Sequence, residues 1–271
     1  MGSKALGKTP LATMATIPFP KKKVPRDVAQ RELALLEHAY PHAVTALDYD
    51  NTFQLLIAVI LSAQTTDARV NMITPTLFEK YPTPEKLAKA DPSDVEQIIK
   101  SSGFFRMKTK NIMNAARELA EKYGGEVPRA REDLESLAGV GRKTANVVMS
   151  VAFQEAAIAV DTHVFRVSHR LGLTLGTTPR QVEEDLNELV PLEKRRLASH
   201  WLILHGRAIC KAPTPLCPQC PVNQLCPTPP IIAKMNAERA KTKIAAGPSG
   251  RGVKAGATRR PGRSTSTKKK R

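Results

Sequence analysis

The chain has 271 residues, 41% of them hydrophobic, and a formal net charge of +17 at pH 7. No apolar run approaches the roughly 20 residues that span a bilayer, which excludes a helical membrane protein, and so large a basic excess points to a polyanionic partner. The excess lies at the ends: residues 1–26 hold six basic and no acidic side chains, residues 234–271 thirteen basic and one acidic, and residues 27–233 hold 23 basic and 24 acidic, a formal charge of −1.

Residues 1–26, acid-poor with some Ser and Thr, fit a basic disordered tail; an organellar transit peptide is the alternative. From 27 to 233 helical apolar spacing recurs between short turns, with no convincing period-2 alternation, and this predicts an all-α fold. The nearly continuous apolar run 53–61 is too long and too rich in Ala and Leu for an edge strand and predicts a buried helix. Pro84 and Pro92, followed by Glu85 and Asp94, mark two helix starts, with proline in the first turn and acids at the positive end of the dipole. A further helix is expected over 108–122, stopped by Gly124 and Gly125.

Between an acidic helix expected over 131–137 and an apolar one over 144–151 lies Leu137-Ala138-Gly139-Val140-Gly141-Arg142-Lys143. Gly139 and Gly141 flank one apolar residue, permit a tight turn with positive φ, and leave backbone N–H groups beside a helix N-terminus, an arrangement that cradles a phosphate. The segment is not a Walker A loop, since Arg142 stands where that motif needs glycine, and no strand precedes it as a dinucleotide fingerprint requires. It fits a helix-hairpin-helix, which grips the DNA backbone without reading sequence. Lys143 sits at a helix start beside Arg142; both neighbours disfavour its ammonium form and favour a free amine able to attack carbon, the alternative being a phosphate-binding lysine. Asp161, in Val160-Asp161-Thr162-His163, is expected first as a helix N-cap. A carboxylate there also stays ionised, as stabilising a cationic sugar or activating a nucleophile requires. His163 is expected to be structural or a surface residue.

All four cysteines fall in one 17-residue stretch, Cys210-x6-Cys217-x2-Cys220-x5-Cys226. Structural zinc favours two short knuckles, and this stretch has one x2 pair flanked by single cysteines; four thiolates from one loop suit a [4Fe-4S] cluster, with zinc and a disulfide pair as the alternatives. Proline follows Cys217, Cys220 and Cys226 and stiffens the loop. Residues 234–271, rich in Gly, Ala, Ser, Thr and Lys without an aromatic, predict a disordered arm that adds salt-sensitive attraction to nucleic acid, or else a solubilising tail or localisation signal.

Taken in this order, the hairpin, Lys143, Val160-Asp161-Thr162-His163 and the four-cysteine loop, with Leu61-Ser62-Ala63-Gln64-Thr65-Thr66-Asp67, Gly125-Glu126-Val127-Pro128 and Leu204-His205-Gly206-Arg207, resemble the endonuclease III family of DNA repair glycosylases over residues 27–227. The resemblance implies two helical domains, a six-helix domain over 45–155 bearing the hairpin and a cluster domain built from 27–44 and 156–233, with tails at 1–26 and 234–271. It implies a glycosylase with AP lyase activity on damaged double-stranded DNA. Lys143 would attack C1′ of a flipped nucleotide and expel an oxidised pyrimidine, and Asp161 would be its carboxylate partner. Gln64 would fill the vacated space and Phe104 would wedge into the opposite strand, while Gly139, Val140, Gly141, Arg142 and Lys211 would meet DNA. Phe104 stands where some members carry leucine. The loop 211–216 has one basic residue, Lys211, where relatives often carry several, and the C-terminal arm is expected to compensate.

Three rival readings are an adenine-mismatch glycosylase, a non-catalytic DNA-binding module and an electron carrier. The first lacks a lysine at this position and carries an extra C-terminal domain. The expected setting is cytoplasmic and nucleoid-associated, and the expected state a monomer without membrane attachment.

Overall fold

The computed structural model describes residues 17–245; the outer parts of both predicted tails lie outside the described residues. It is all-helical: α1 (Arg26–Ala39), α2 (Thr52–Leu61), α3 (Asp67–Lys80), α4 (Pro84–Ala88), α5 (Pro92–Ile99), α6 (Phe105–Lys122), α7 (Arg131–Ser136), α8 (Arg142–Val151), α9 (Thr162–Arg170), α10 (Pro179–Leu189), α11 (Arg195–Ala208) and α12 (Thr228–Ala245), with no strand among the described residues. No helix among them is long and apolar enough to cross a membrane.

Two hydrophobic cores organise residues 17–232. In the first, α2 is buried along its whole length after Thr52 and packs against α3, α6 and α8, with α4 and α5 closing over α6. A helix apolar on every side has to lie between others, which is why the run 53–61 forms the centre of this core. Local caps fix where its helices begin: the side chains of Asn51, Thr66, Thr83 and Asp91 accept N–H bonds from the first turns of α2, α3, α4 and α5. The second core gathers Leu33 and Leu36 of α1 with α9, α10 and α11, around the fully buried Trp201 and Leu202. The chain therefore starts in the second core, crosses to the first, and returns through Ile158 and Val160.

The structure corrects several boundaries. Residues 17–26 are not a free tail: Val24 N–H donates to Gly172 O at 2.9 Å, Lys23 pairs with Asp185 at 2.7 Å, and the Phe19 ring lies 4.6 Å from that of His169. Gly172 admits this docking, since its φ is +71° and a Cβ there would stand 3.0 Å from Val24 Cγ1. At the other end the helix α12 runs through Ala245, so residues 234–245 are not disordered: Ala, Lys, Glu and Arg favour helix even where no core is available. α6 begins three residues before the predicted 108, and α8 two residues before 144. Of the two hairpin glycines only Gly139 has positive φ (+78°); Gly141 is extended at −101°.

Candidate active site and cysteine loop

A cavity of about 110 Å³ opens between the two cores. Ser62, Asp67 and Lys143 line it from the first, and Asp161, His200 and Arg207 from the second. The sequence thus named two of its wall residues as chemical candidates, eighteen positions apart, and the fold brings both to one space.

Lys143 is held there by the hairpin. α7 ends at Ser136, Val140 N–H returns to Leu137 O at 3.1 Å, and the Glu118 carboxylate accepts from Ala138 N–H at 3.1 Å. Val140 is buried beneath the turn, and Gly139 passes so close to Asn111 that a Cβ would fall 2.8 Å from its Cβ. Gly141 then caps α8 without any side-chain acceptor, so the first amides of α8 present N–H groups with no capping partner. Lys143 is exposed on this first turn, and its ammonium has no hydrogen bond or ion pair among the described residues.

Arg142 behaves differently. Its guanidinium grips the buried Glu183 of α10 in two bonds of 2.7 and 3.1 Å and reaches Glu135 at 4.0 Å; Glu183 holds its pKa above the ordinary arginine value. Arg131 approaches the same carboxylate at 3.9 Å and also binds Asn146. This network joins the two cores, so the DNA contact expected of Arg142 competes with a structural bond, and the cationic neighbour invoked for Lys143 is itself neutralised.

Asp161 is the N-cap of α9: one carboxylate oxygen accepts from Val164 N–H at 2.8 Å. The second oxygen remains available, so capping and a chemical role coexist in one side chain. Sequence reasoning assigned no role to Asp67 and Arg207, which pair across the cleft at 2.9 Å, nor to His200, whose pKa is lowered by burial and then by Arg196. Their signal was weak, because a His or Arg in an amphipathic helix reads as surface until the facing core is known. His163, half-buried, stands 3.1 Å from the Arg166 guanidinium.

Gln64 and Phe104 do not line this cavity. They occupy two neighbouring loops, both in left-handed backbone, with φ of 55° and 46°, and Phe104 is 70% exposed. Thr65 Oγ1 donates to Ser102 O at 2.5 Å, and the buried Lys108 reaches both loops. Lys211 is exposed beyond the cysteine loop's first ligand candidate; its backbone N–H donates to Ile209 O and its carbonyl accepts from Arg170, each at 2.8 Å.

Cys210, Cys217, Cys220 and Cys226 are free thiols around one small cavity, with Arg170 and His205 beside them. Burial pushes the Cys220 thiol up to about 11 and that of Cys226 up to about 12. Arg170 stands 3.5 Å from Cys210 Sγ, and Arg166 holds the Cys210 carbonyl at 3.2 Å. Among the described residues no three His, Cys, Asp or Glu side chains converge as ligands of a single ion would.

Residues 57–192 match the family model for the HhH-GPD superfamily of base excision DNA repair proteins. The chain is 50% identical over 197 residues to an endonuclease III of Synechocystis sp., covering 72% of this chain and 90% of that protein. It is 50% identical over 188 residues to the endonuclease III of Bacillus subtilis, covering 69% and 86%. Among solved structures, a trapped endonuclease III–DNA covalent intermediate superposes with a TM-score of 0.74 at 45% identity, over 78% of this chain and 99% of the other. With such coverage, and with the hairpin and the cleft in one piece, the chain belongs to the endonuclease III family within the HhH-GPD superfamily and is a base excision repair DNA glycosylase and AP lyase.

Proposed function

We propose that this enzyme removes oxidised pyrimidines from duplex DNA, with Lys143 as nucleophile and Asp161 as its carboxylate partner. One observation carries the reading: an unpaired lysine and a half-engaged carboxylate, presented by opposite cores, face the same cavity. The hairpin amides at the start of α8 hold the backbone phosphates while the damaged nucleotide turns out of the stack into the cleft.

The Lys143 amine forms a bond to C1′ as the glycosidic bond breaks, and the departing base takes the electron pair and a proton from water. The free oxygen of Asp161 stabilises the positive charge that develops on the sugar and receives a proton from the attacking nitrogen. The C1′–O4′ bond opens as O4′ takes the proton held by Asp161, leaving a Schiff base at Lys143; loss of a C2′ proton to solvent then expels the 3′ phosphate, and water hydrolyses the Schiff base to release the enzyme. The trapped covalent complex formed by the related endonuclease III is consistent with this step.

Cys210, Cys217, Cys220 and Cys226 suit a [4Fe-4S] cluster. All four thiols line one small cavity, and four thiolates from a single loop, with one x2 pair flanked by single cysteines, match cluster ligation better than the paired knuckles of structural zinc. Cys210, Cys217, Cys220 and Cys226 would hold such a cluster, which would tie the loop carrying Lys211 together at four points. We place the enzyme in the cytoplasm on nucleoid DNA, acting as a monomer, with Gln64 and Phe104 probing the duplex.

Borohydride added during reaction with a thymine glycol duplex should trap a covalent protein–DNA adduct that disappears in Lys143→Ala. Base release without an adduct in the wild-type protein would overturn the assignment of Lys143 and indicate water as nucleophile.

A further inference from the structure

Lys108 lies one turn inside α6, four residues after Phe104, and is only 5% exposed. Its ammonium donates to Leu61 O at 2.8 Å, Thr65 Oγ1 at 2.6 Å and Ser102 O at 2.8 Å. Three donors meet three acceptors, so the group is saturated, yet every acceptor is neutral and no carboxylate is paired with it. Burial accordingly pulls its pKa below the ordinary lysine value. A methionine of similar length would avoid desolvating a charge but would take the donor from Leu61 O, Thr65 Oγ1 and Ser102 O, so the lysine's worth lies in the groups it joins.

What the lysine joins gives the reason. Leu61 closes α2 and Thr65 ends the turn that carries Gln64; Ser102 ends the turn that leads to Phe104. Both Gln64 and Phe104 are held in left-handed backbone, which a non-glycine residue disfavours and which persists only where surrounding bonds impose it. Phe104 caps α6 with no side-chain hydrogen bond of its own, so the bonds that fix this end come from elsewhere in the fold. Thr65 Oγ1 accepts from Lys108 and donates to Ser102 O, which closes a ring of three groups between the loops.

We propose that Lys108 is a positioning residue that locks the Gln64 turn to the Phe104 turn, so that the two side chains enter the duplex as a pair of fixed separation. This rests on the reading of Gln64 and Phe104 as the residues that probe DNA. The pair is needed most when an intact, stacked base must be displaced and its place filled. A preformed abasic site has no base to unstack, and it demands less of the clamp.

The test uses the full-length, cluster-loaded protein. Base release from a thymine glycol duplex and cleavage at a preformed abasic site are measured under single-turnover conditions in one sequence context, and 2-aminopurine opposite the lesion reports unstacking. In Lys108→Met, base release should fall about tenfold or more and the fluorescence rise should disappear, while abasic-site cleavage stays within about threefold. Thr65→Val, which removes only the hydroxyl link, should shift the same ratio by a smaller factor. Equal loss of both reactions would make Lys108 an ordinary structural residue and sink the proposal, as would unchanged rates. If Lys108→Met does not fold, the selectivity of Thr65→Val decides between the same two outcomes. Gln64→Ala and Phe104→Ala serve as references. If both release base normally, the probe reading falls and the clamp with it; if both are impaired while Lys108→Met is normal, only the clamp falls.

Discussion

Lys108 and Glu32, one buried in each core, are treated in opposite ways. Lys108, in the first, has all three donors satisfied; Glu32, in the second, lies fully buried on α1 with neither carboxylate oxygen bonded. Burial pushes the Glu32 carboxyl up to about 8, so it stays neutral near pH 7. It stands close enough to Cys220 and Cys226 to raise both thiols further, behind burial itself. The contrast teaches that burial alone does not decide the state of a charge; the partners do. The same rule separates Lys108 from Lys143, which is exposed and has no partner among the described residues.

The sharpest way to test that last distinction is Lys143→Ala. Removing an exposed, unpaired amine should lower single-turnover base release by about a thousandfold or more, since an entire covalent route is lost. The melting midpoint and duplex affinity should hardly move. A variant that loses activity and stability together would show that Lys143, like Lys108, belongs to the scaffold.

Glu32→Met tests the other core. With an ordinary value of 4.5 and a folded value of about 8, Glu32 keeps its proton in the folded state while the unfolded chain releases it, so stability should fall as pH rises through that window. Replacement by an apolar side chain of similar length should flatten the fall and stabilise the protein at pH 8 by on the order of 3 kcal/mol. Denaturant titrations of both proteins from pH 5.5 to 8.5 measure this, and parallel profiles would contradict it.

A third substitution acts on the seam between the cores. Arg142→Ala leaves the buried Glu183 with Arg131 at 3.9 Å as its remaining cation. A partly exposed pair of this geometry should cost about 2 kcal/mol, and the loss should persist at high salt because Glu183 is screened from solvent. If instead Arg142 serves chiefly as a phosphate contact, stability would hold and the salt dependence of duplex binding would flatten.

Much of this was legible in the sequence, and the failures share a cause. Helical periodicity, Asp161 as a cap, the hairpin and the clustered cysteines are local signals, carried by residues within a few positions of one another. Lys108 was invisible because a lysine in an amphipathic helix reads as solvent-facing, and only the tertiary approach of Leu61, Thr65 and Ser102 reveals otherwise. Glu32 was missed for the same reason. Residues 234–245 were misjudged because composition was averaged over the whole arm, where Gly, Ser and the terminal charges mask a stretch of strong helix formers. The docking of residues 17–26 depends on Gly172, some 150 positions away, and no local pattern announces it.

Gly139 offers the smallest effect and the finest test of how rigid the catalytic side of the molecule is. Its φ of +78° is disfavoured for any residue with a Cβ, and the added methyl would meet Asn111 Cβ at 2.8 Å, so α6 or the hairpin has to shift. The backbone term alone should cost about 1 kcal/mol in Gly139→Ala. Asn111→Gly relieves the steric part and leaves the dihedral part. If the hairpin must hold its amides rigidly against phosphate, duplex affinity should drop in Gly139→Ala and recover in part when Asn111 is also replaced. Affinity that stays at the wild-type level while stability falls would mean that the hairpin tolerates movement. The fixed geometry of this core would then lie in the Lys108 ring, not at the start of α8.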